Sequence, residues 1–217
     1  MNKMNIIRIC LALSSLVGNV LANSDVSPSP PDLVQVNITE TMAQARQIVN
    51  EHGISEASMR QIQAALGRLA KVPGLMARAD FRELHHGSGG AAAILATEGD
   101  QGLTLILARF KPDAPTPVHD HGTWGVAYVV EGRDHYTEWE RVDNGNDPQH
   151  AELRVKSERV LAAGDSVYWF GPPHDIHSQQ GADGVALELV LFGKNAMRTT
   201  RHYFDPKTGQ VTEAKPQ

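Results

Sequence analysis

Two histidines one residue apart, His119 and His121, lie in the stretch Pro115-Thr-Pro-Val-His-Asp-His-Gly-Thr-Trp-Gly125. On a β-strand, residues i and i+2 share a face, so this spacing sends both imidazoles to one side and Asp120 to the other. Two converging imidazoles make half of a site for a divalent metal. The third candidate, His177, arrives more than fifty residues later in Gly171-Pro-Pro-His-Asp-Ile-His-Ser178, with His174 as its rival in the same segment. A second pair, His85-His86 beside Gly87-Ser-Gly-Gly90, reads as a loop.

The rest of the composition limits what such a site can be. The chain has 217 residues, enough for one domain with a real core or two small ones, and a net charge of −5 without a basic patch. Nucleic acid and anionic membrane surfaces are therefore not expected partners. Residues 1–22 read as a secretory signal peptide: Lys3 and Arg8 are the only early charges, Ile9 to Ala22 is apolar or small, and Val20-Leu21-Ala22 has the pattern of a cleavage site. The expected location is outside the cytoplasm, periplasmic or secreted, with a cytoplasmic protein as the alternative, and no membrane span is expected in the mature chain. Cleavage removes Lys3, Arg8 and the only cysteine, Cys10, which takes the net charge from −5 to −7. The mature protein then has no disulfide, no thiol nucleophile and no thiolate ligand, so any metal must rest on histidine and carboxylate.

The elements that must position the histidines follow from hydrophobic period. Residues 23–36 read as a Ser- and Pro-rich linker, and residues 37–80 as a helical segment. In it Met42, Ala45, Ile48 and Val49 form one stripe, and Met59, Ile62, Ala65, Leu66 and Leu69 a second behind a capping Ser55. Both stripes are expected to pack against a sheet. Residues 90–211 change to a period of two, with strands expected at 91–97, 103–110, 126–130, 135–142, 153–161, 165–170 and 185–192, separated by turn-rich segments. Many short strands without intervening helices indicate an antiparallel sandwich or barrel.

Pro117-Val-His119-Asp-His121 with Gly132 resembles the first motif of the cupin superfamily, and the segment from Gly164 to His177 resembles the second. Within that superfamily the chain resembles the bacterial branch of the cysteine dioxygenase-like thiol dioxygenases. The matching pieces are His119 to Gly125, Val129-Val-Glu-Gly132, Pro172-Pro-His-Asp-Ile-His177 and Phe204-Asp-Pro-Lys-Thr-Gly209. The resemblance implies a mainly β cupin jelly-roll barrel with an N-terminal helical segment. It implies Fe(II), or another divalent metal, on His119, His121 and His177, with His177 preferred to His174. It also implies an enzyme that uses O2 to oxidise a small thiol to a sulfinate.

The departures are as informative. Many cupins carry a ligand Glu four or five residues after the second histidine; this chain has Gly125 and Val126. The Ser-x-His-x-Tyr pattern of thiol dioxygenases aligns with Ala186-Leu-Glu188-Leu-Val190, and the arginine that binds the cysteine carboxylate aligns with Ala91-Ala-Ala-Ile94. Arg198 or Arg201 stands as a replacement for that arginine. Glu188 falls on the strand face that lines the cavity by this comparison, where a bare carboxylate is costly. It is a candidate ligand, general base or partner of a cavity cation such as Arg109; otherwise it sits solvated at the barrel mouth. The alternatives to a thiol dioxygenase are a metal-dependent lyase or isomerase that uses Glu188, and a non-catalytic cupin that binds metal or a small ligand.

Overall fold

The computed structural model describes residues 32–83 and 89–214. The expected signal peptide and the His85-His86 pair lie outside the described residues. Helix α1 (Leu33–His52) begins where the Asp32 side chain accepts from the Val34 and Gln35 N–H groups (3.1 and 3.3 Å), and it ends at Gly53, φ +66°. It therefore starts inside the stretch read as linker. The extra turn is held by that cap and by the burial of Val34. Helix α2 (Glu56–Leu69) starts at Ser55, whose hydroxyl accepts from Ser58 N, and buries Met59, Ile62, Ala65, Leu66 and Leu69 on one stripe.

Twelve strands follow: β1 (Arg82–Glu83), β2 (Gly90–Thr97), β3 (Thr104–Phe110), β4 (Val118–His119), β5 (Gly125–Glu131), β6 (Arg133–Arg141), β7 (Leu153–Ala162), β8 (Ser166–Trp169), β9 (His177–Gly181), β10 (Ala186–Phe192), β11 (Arg201–Phe204) and β12 (Val211–Ala214). They form two antiparallel six-stranded sheets, ordered β1-β2-β3-β10-β5-β8 and β12-β11-β4-β9-β6-β7. The fold is mainly β, two antiparallel sheets preceded by an N-terminal helical segment.

Alternation on the central strands divides the apolar residues into two cores. Leu105, Leu107, Val126, Leu189 and Leu191 of the first sheet pack with Ile38, Met42, Ile62 and Leu66 of the helices. Their neighbours Ile106, Ala108, Ala127, Val129, Val190 and Phe192 turn inward and meet Tyr136, Leu161 and Trp169 between the sheets. Tyr128 and Val130 belong to the helix side, so the face they share with Val126 is not the cavity face.

The two sheets leave two open seams. One lies between edge strands β7 and β8. The other lies where β1 and β2 approach β11 and β12, and each seam holds a cleft.

Candidate metal centre

Strand β4 ends at His119, and His121 stands in the turn beyond it. The convergence of these two histidines is therefore not strand alternation alone. Asp120 turns away and accepts from His202 N and from His202 Nδ1, both at 2.7 Å, while Asp120 N donates back to His202 O at 3.1 Å. The following turn is gripped by Asp175, whose carboxylate accepts from His121 N (3.1 Å) and Gly122 N (2.8 Å). Burial raises the Asp175 pKa to about 6, and these two N–H groups pull the other way. The acids inside the two histidine motifs thus act as clamps.

The third imidazole comes from β9. His177 pairs with His119 across β4–β9 and with Glu138 across β6–β9, so His119, His177 and Glu138 form one row across the second sheet. His119, His121 and His177 are buried, and their ring nitrogens lie within 4.8 Å of one another. His121 Nε2 and His177 Nε2 are 3.1 Å apart, a separation that suits nitrogens each about 2.1 Å from a shared metal. His119 Nδ1–H donates to Pro117 O at 2.9 Å, which makes Nε2 its candidate ligand nitrogen. Burial first, then the charges of Arg201 and the neighbouring histidines, pushes His121 well below the ordinary imidazole range. His177 is lowered in the same way, by burial, then His119 and Arg201. Neutral imidazoles are the form that binds a metal, so the donor set fits a divalent ion. His174 does not belong to the cluster and lines the β7–β8 cleft instead.

The place of a fourth ligand is filled. Gly125 sits on the inward face of β5, paired with Trp169 of β8 and with Phe192 of β10. A Cβ at Gly125 would run into the Trp169 indole. That ring lies 5.4 Å from His121 and 4.9 Å from His177 between centroids, and its Nε1–H donates to Thr123 O (3.1 Å). Phe192 packs on His121 at 4.7 Å and lies 6.1 Å from the Trp169 ring. The histidines are therefore walled by two aromatic rings.

Glu188 is neither a ligand nor a solvated mouth residue. It is fully buried on the inward face of β10, outside the group of three histidines. Gln179 Nε2 donates both to Glu188 Oε2 (2.9 Å) and to Asp134 Oδ2 (3.2 Å). The two acids neighbour each other, so a proton held by one can be donated to the other, and Glu188 Oε1 and Asp134 Oδ1 are buried without another partner. Burial and the neighbouring Asp134 charge raise Glu188 well above the carboxylate range, and burial raises Asp134. Among the described residues Glu188 is met by the Gln179 amide and by Asp134, with no arginine beside it, and its raised pKa favours the protonated form.

The three candidate arginines separate. Arg109 faces away from the cavity, stacked over the Phe81 ring at 4.6 Å, while Glu188 pairs with Ala108 next to it. It is not the partner of Glu188. Arg198 is exposed at the surface and 3.7 Å from Asp100. Arg201 alone approaches the histidines. It lies over the Phe192 ring at 5.7 Å, and its charge reaches both His121 and His177. Among the described residues it forms no ion pair. The one acid whose charge reaches it, Asp120, is held by His202. Burial lowers the Arg201 pKa. Tyr203, paired with His119 across β4–β11, lies beside it with its ring 6.2 Å from that imidazole. Tyr203, Trp169, Gln179 and Glu138 are site neighbours that sequence patterns did not single out.

No protein-family model matches the chain, and no curated protein does. Solved structures give fold likenesses. An oxalate oxidase is 20% identical over 52% of this chain and 56% of its own, with a TM-score of 0.39, so the chain spans little more than half of that protein. An RmlC-like cupin from Shewanella frigidimarina NCIMB 400 is 24% identical over 55% of this chain and 86% of that one, TM-score 0.39. KdgF from Halomonas sp. is 18% identical over 54% and 88%, TM-score 0.38. The chemistry rests on the residues described above.

Proposed function

We propose that the chain is a mononuclear non-haem iron enzyme that oxidises a small anionic thiol to its sulfinate. The observation that carries this reading is the donor set: three neutral histidines, no carboxylate, and Gly125 with Trp169 where a fourth ligand side chain would stand. His119, His121 and His177 would hold Fe(II). Bound there on neutral ligands, the ion keeps its full charge, favours the thiolate form of a substrate and supplies the chemistry that activates O2. The balance is RSH + O2 → RSO2H: both oxygen atoms join sulfur, which loses four electrons as O2 gains four, and the sulfinic acid releases its proton at neutral pH.

The remaining work belongs to the protein. Arg201, which forms no ion pair among the described residues, supplies a guanidinium for a substrate carboxylate. Trp169 and Phe192 exclude water from the imidazoles. The reading goes beyond the fold neighbours, two of which are named for other proteins, an oxalate oxidase and KdgF. A lyase or isomerase that uses Glu188 as base is less well supported, because that carboxyl is already engaged by Gln179 and Asp134.

The test is oxygen uptake by iron-loaded protein with cysteine, 3-mercaptopropionate and cysteamine, alongside metal analysis of protein purified without added metal. The expected result is uptake with a carboxylate-bearing thiol, sulfinate as product, and iron in the purified protein. Zinc or nickel at full occupancy, with no uptake for any thiol, overturns the reading.

A further inference from the structure

The cleft in the β1–β2/β11–β12 seam has a volume of about 530 Å³. That is in the range of sites for drug-sized ligands and several times what a three-carbon acid fills. Its inner end is polar and lies against the metal centre: Arg201 and Tyr203, with Phe192 touching His121. Away from that end one wall is apolar, while the exposed charges of Asp80, Arg82 and Glu83 stand along the β1 side. Ile106 and Ala92 are buried on the inward faces of β3 and β2, whereas Ile94 and Met197 line the same cleft at 51% and 42% exposure. Two large aliphatic side chains left in water are ordinary when scattered; aligned in one concavity that ends at a guanidinium with no ion pair among the described residues, they describe a binding groove. The charge at the inner end is one guanidinium, which matches a carboxylate monoanion.

We infer that the site takes carboxylates that carry an apolar chain, with the carboxylate at Arg201 and the chain along Ile106, Ala92, Ile94 and Met197. Resting on the function proposed above, the substrates are then 3-mercaptoalkanoates with an alkyl or aryl group on the carbon that bears the sulfur. With carboxylate and thiol both engaged at the inner end, that carbon is where a chain can leave toward the seam. The oxidation is unchanged: both atoms of O2 go to the sulfur.

Two measurements separate the groove from the chemistry. The first is calorimetric titration of the metal-loaded protein with the redox-silent acids 3-hydroxypropionate and 3-hydroxyhexanoate. The second is oxygen uptake with 3-mercaptopropionate and 3-mercaptohexanoate. Burial of a methylene is worth up to roughly fourfold in affinity, so the six-carbon acids should show Kd and KM about tenfold or more below their three-carbon partners. Equal or weaker binding of the six-carbon acids overturns the inference. A Kd that falls with chain length in protein that consumes no O2 supports the groove and defeats the thiol chemistry. Ile94→Asp and Met197→Asp, both at exposed positions, should bring the six-carbon to three-carbon ratio toward one. A ratio that survives both substitutions places the chain elsewhere and overturns the inference.

Discussion

A neutral imidazole offers a lone pair to a metal and an imidazolium does not, so the burial that makes His121 and His177 hard to protonate also makes them ligands. The same burial acts in the opposite sense on acids. Asp134 is pushed up to about 7 and Glu188 well above its ordinary range, so the folded protein holds protons that the unfolded chain releases near pH 4. Both folded-state values are raised, so this contribution to stability is complete below the ordinary carboxyl range. It is lost as pH rises through 7 and beyond. Glu188→Gln, which keeps an N–H to give Asp134, should therefore match the parent in thermal unfolding at pH 5 and exceed it at pH 9. Parallel curves across that range would remove the shared proton from the account. At Arg201 the expectation is kinetic. A charge-assisted hydrogen bond is worth about 1.5–3 kcal/mol, so Arg201→Ala should raise KM for an anionic thiol by roughly 10- to 100-fold. Steady-state kinetics with cysteamine, which has no carboxylate, is the control and should show no such change.

At the scale of elements, much was legible and the gaps have physical causes. Strands β2, β3, β5, β8 and β10 announce themselves because one of their faces is apolar, and β6 and β7 by their aromatic and β-branched residues between turn-rich segments. Strand β9 does not: its inward residues are His177, Gln179 and Gly181, so it alternates in burial but not in hydrophobicity. The strand that delivers a ligand is thus the one that the apolar period cannot find. Strands β4, β11 and β12 are too short for a period to develop, so Arg201 could be named only as one of two alternatives and Tyr203 beside it was not named. The inward aim of Glu188 was legible from alternation on β10, but its partners were not, because Asp134 and Gln179 meet it only through sheet pairing. What holds β11 to β4 is the clasp between Asp120 and His202. Asp120→Ala removes both side-chain bonds. At about 1–3 kcal/mol, the melting temperature should fall by roughly 3–10 °C, and KM should rise with it as Arg201 and Tyr203 loosen. A variant with lowered melting temperature but unchanged KM would show that the clasp does not position the arginine.

Across the whole molecule, the metal centre ties strands of one sheet to a turn stapled by Asp175, so an ion bound there adds directly to global stability. At a metal concentration 1,000 times Kd that gain is about 4 kcal/mol, which for a chain of this size is roughly 10 °C. Chelation should lower the melting temperature by that order, and re-addition of Fe(II) should restore it; an unchanged melting curve would mean that no ion is held. Gly125 and Trp169 are far apart in sequence yet occupy one volume beside the histidines. That gives the barrel a constraint on its history. Acquiring a glutamate at 125 while the indole is in place should disrupt the centre, and shrinking residue 169 first should open a hole beside the imidazoles. Gly125→Glu alone is expected to lose metal, and Gly125→Glu with Trp169→Ala to recover it, as metal stoichiometry would report. The passage between a three-ligand and a four-ligand centre is then a step of two coupled substitutions, each harmful without the other.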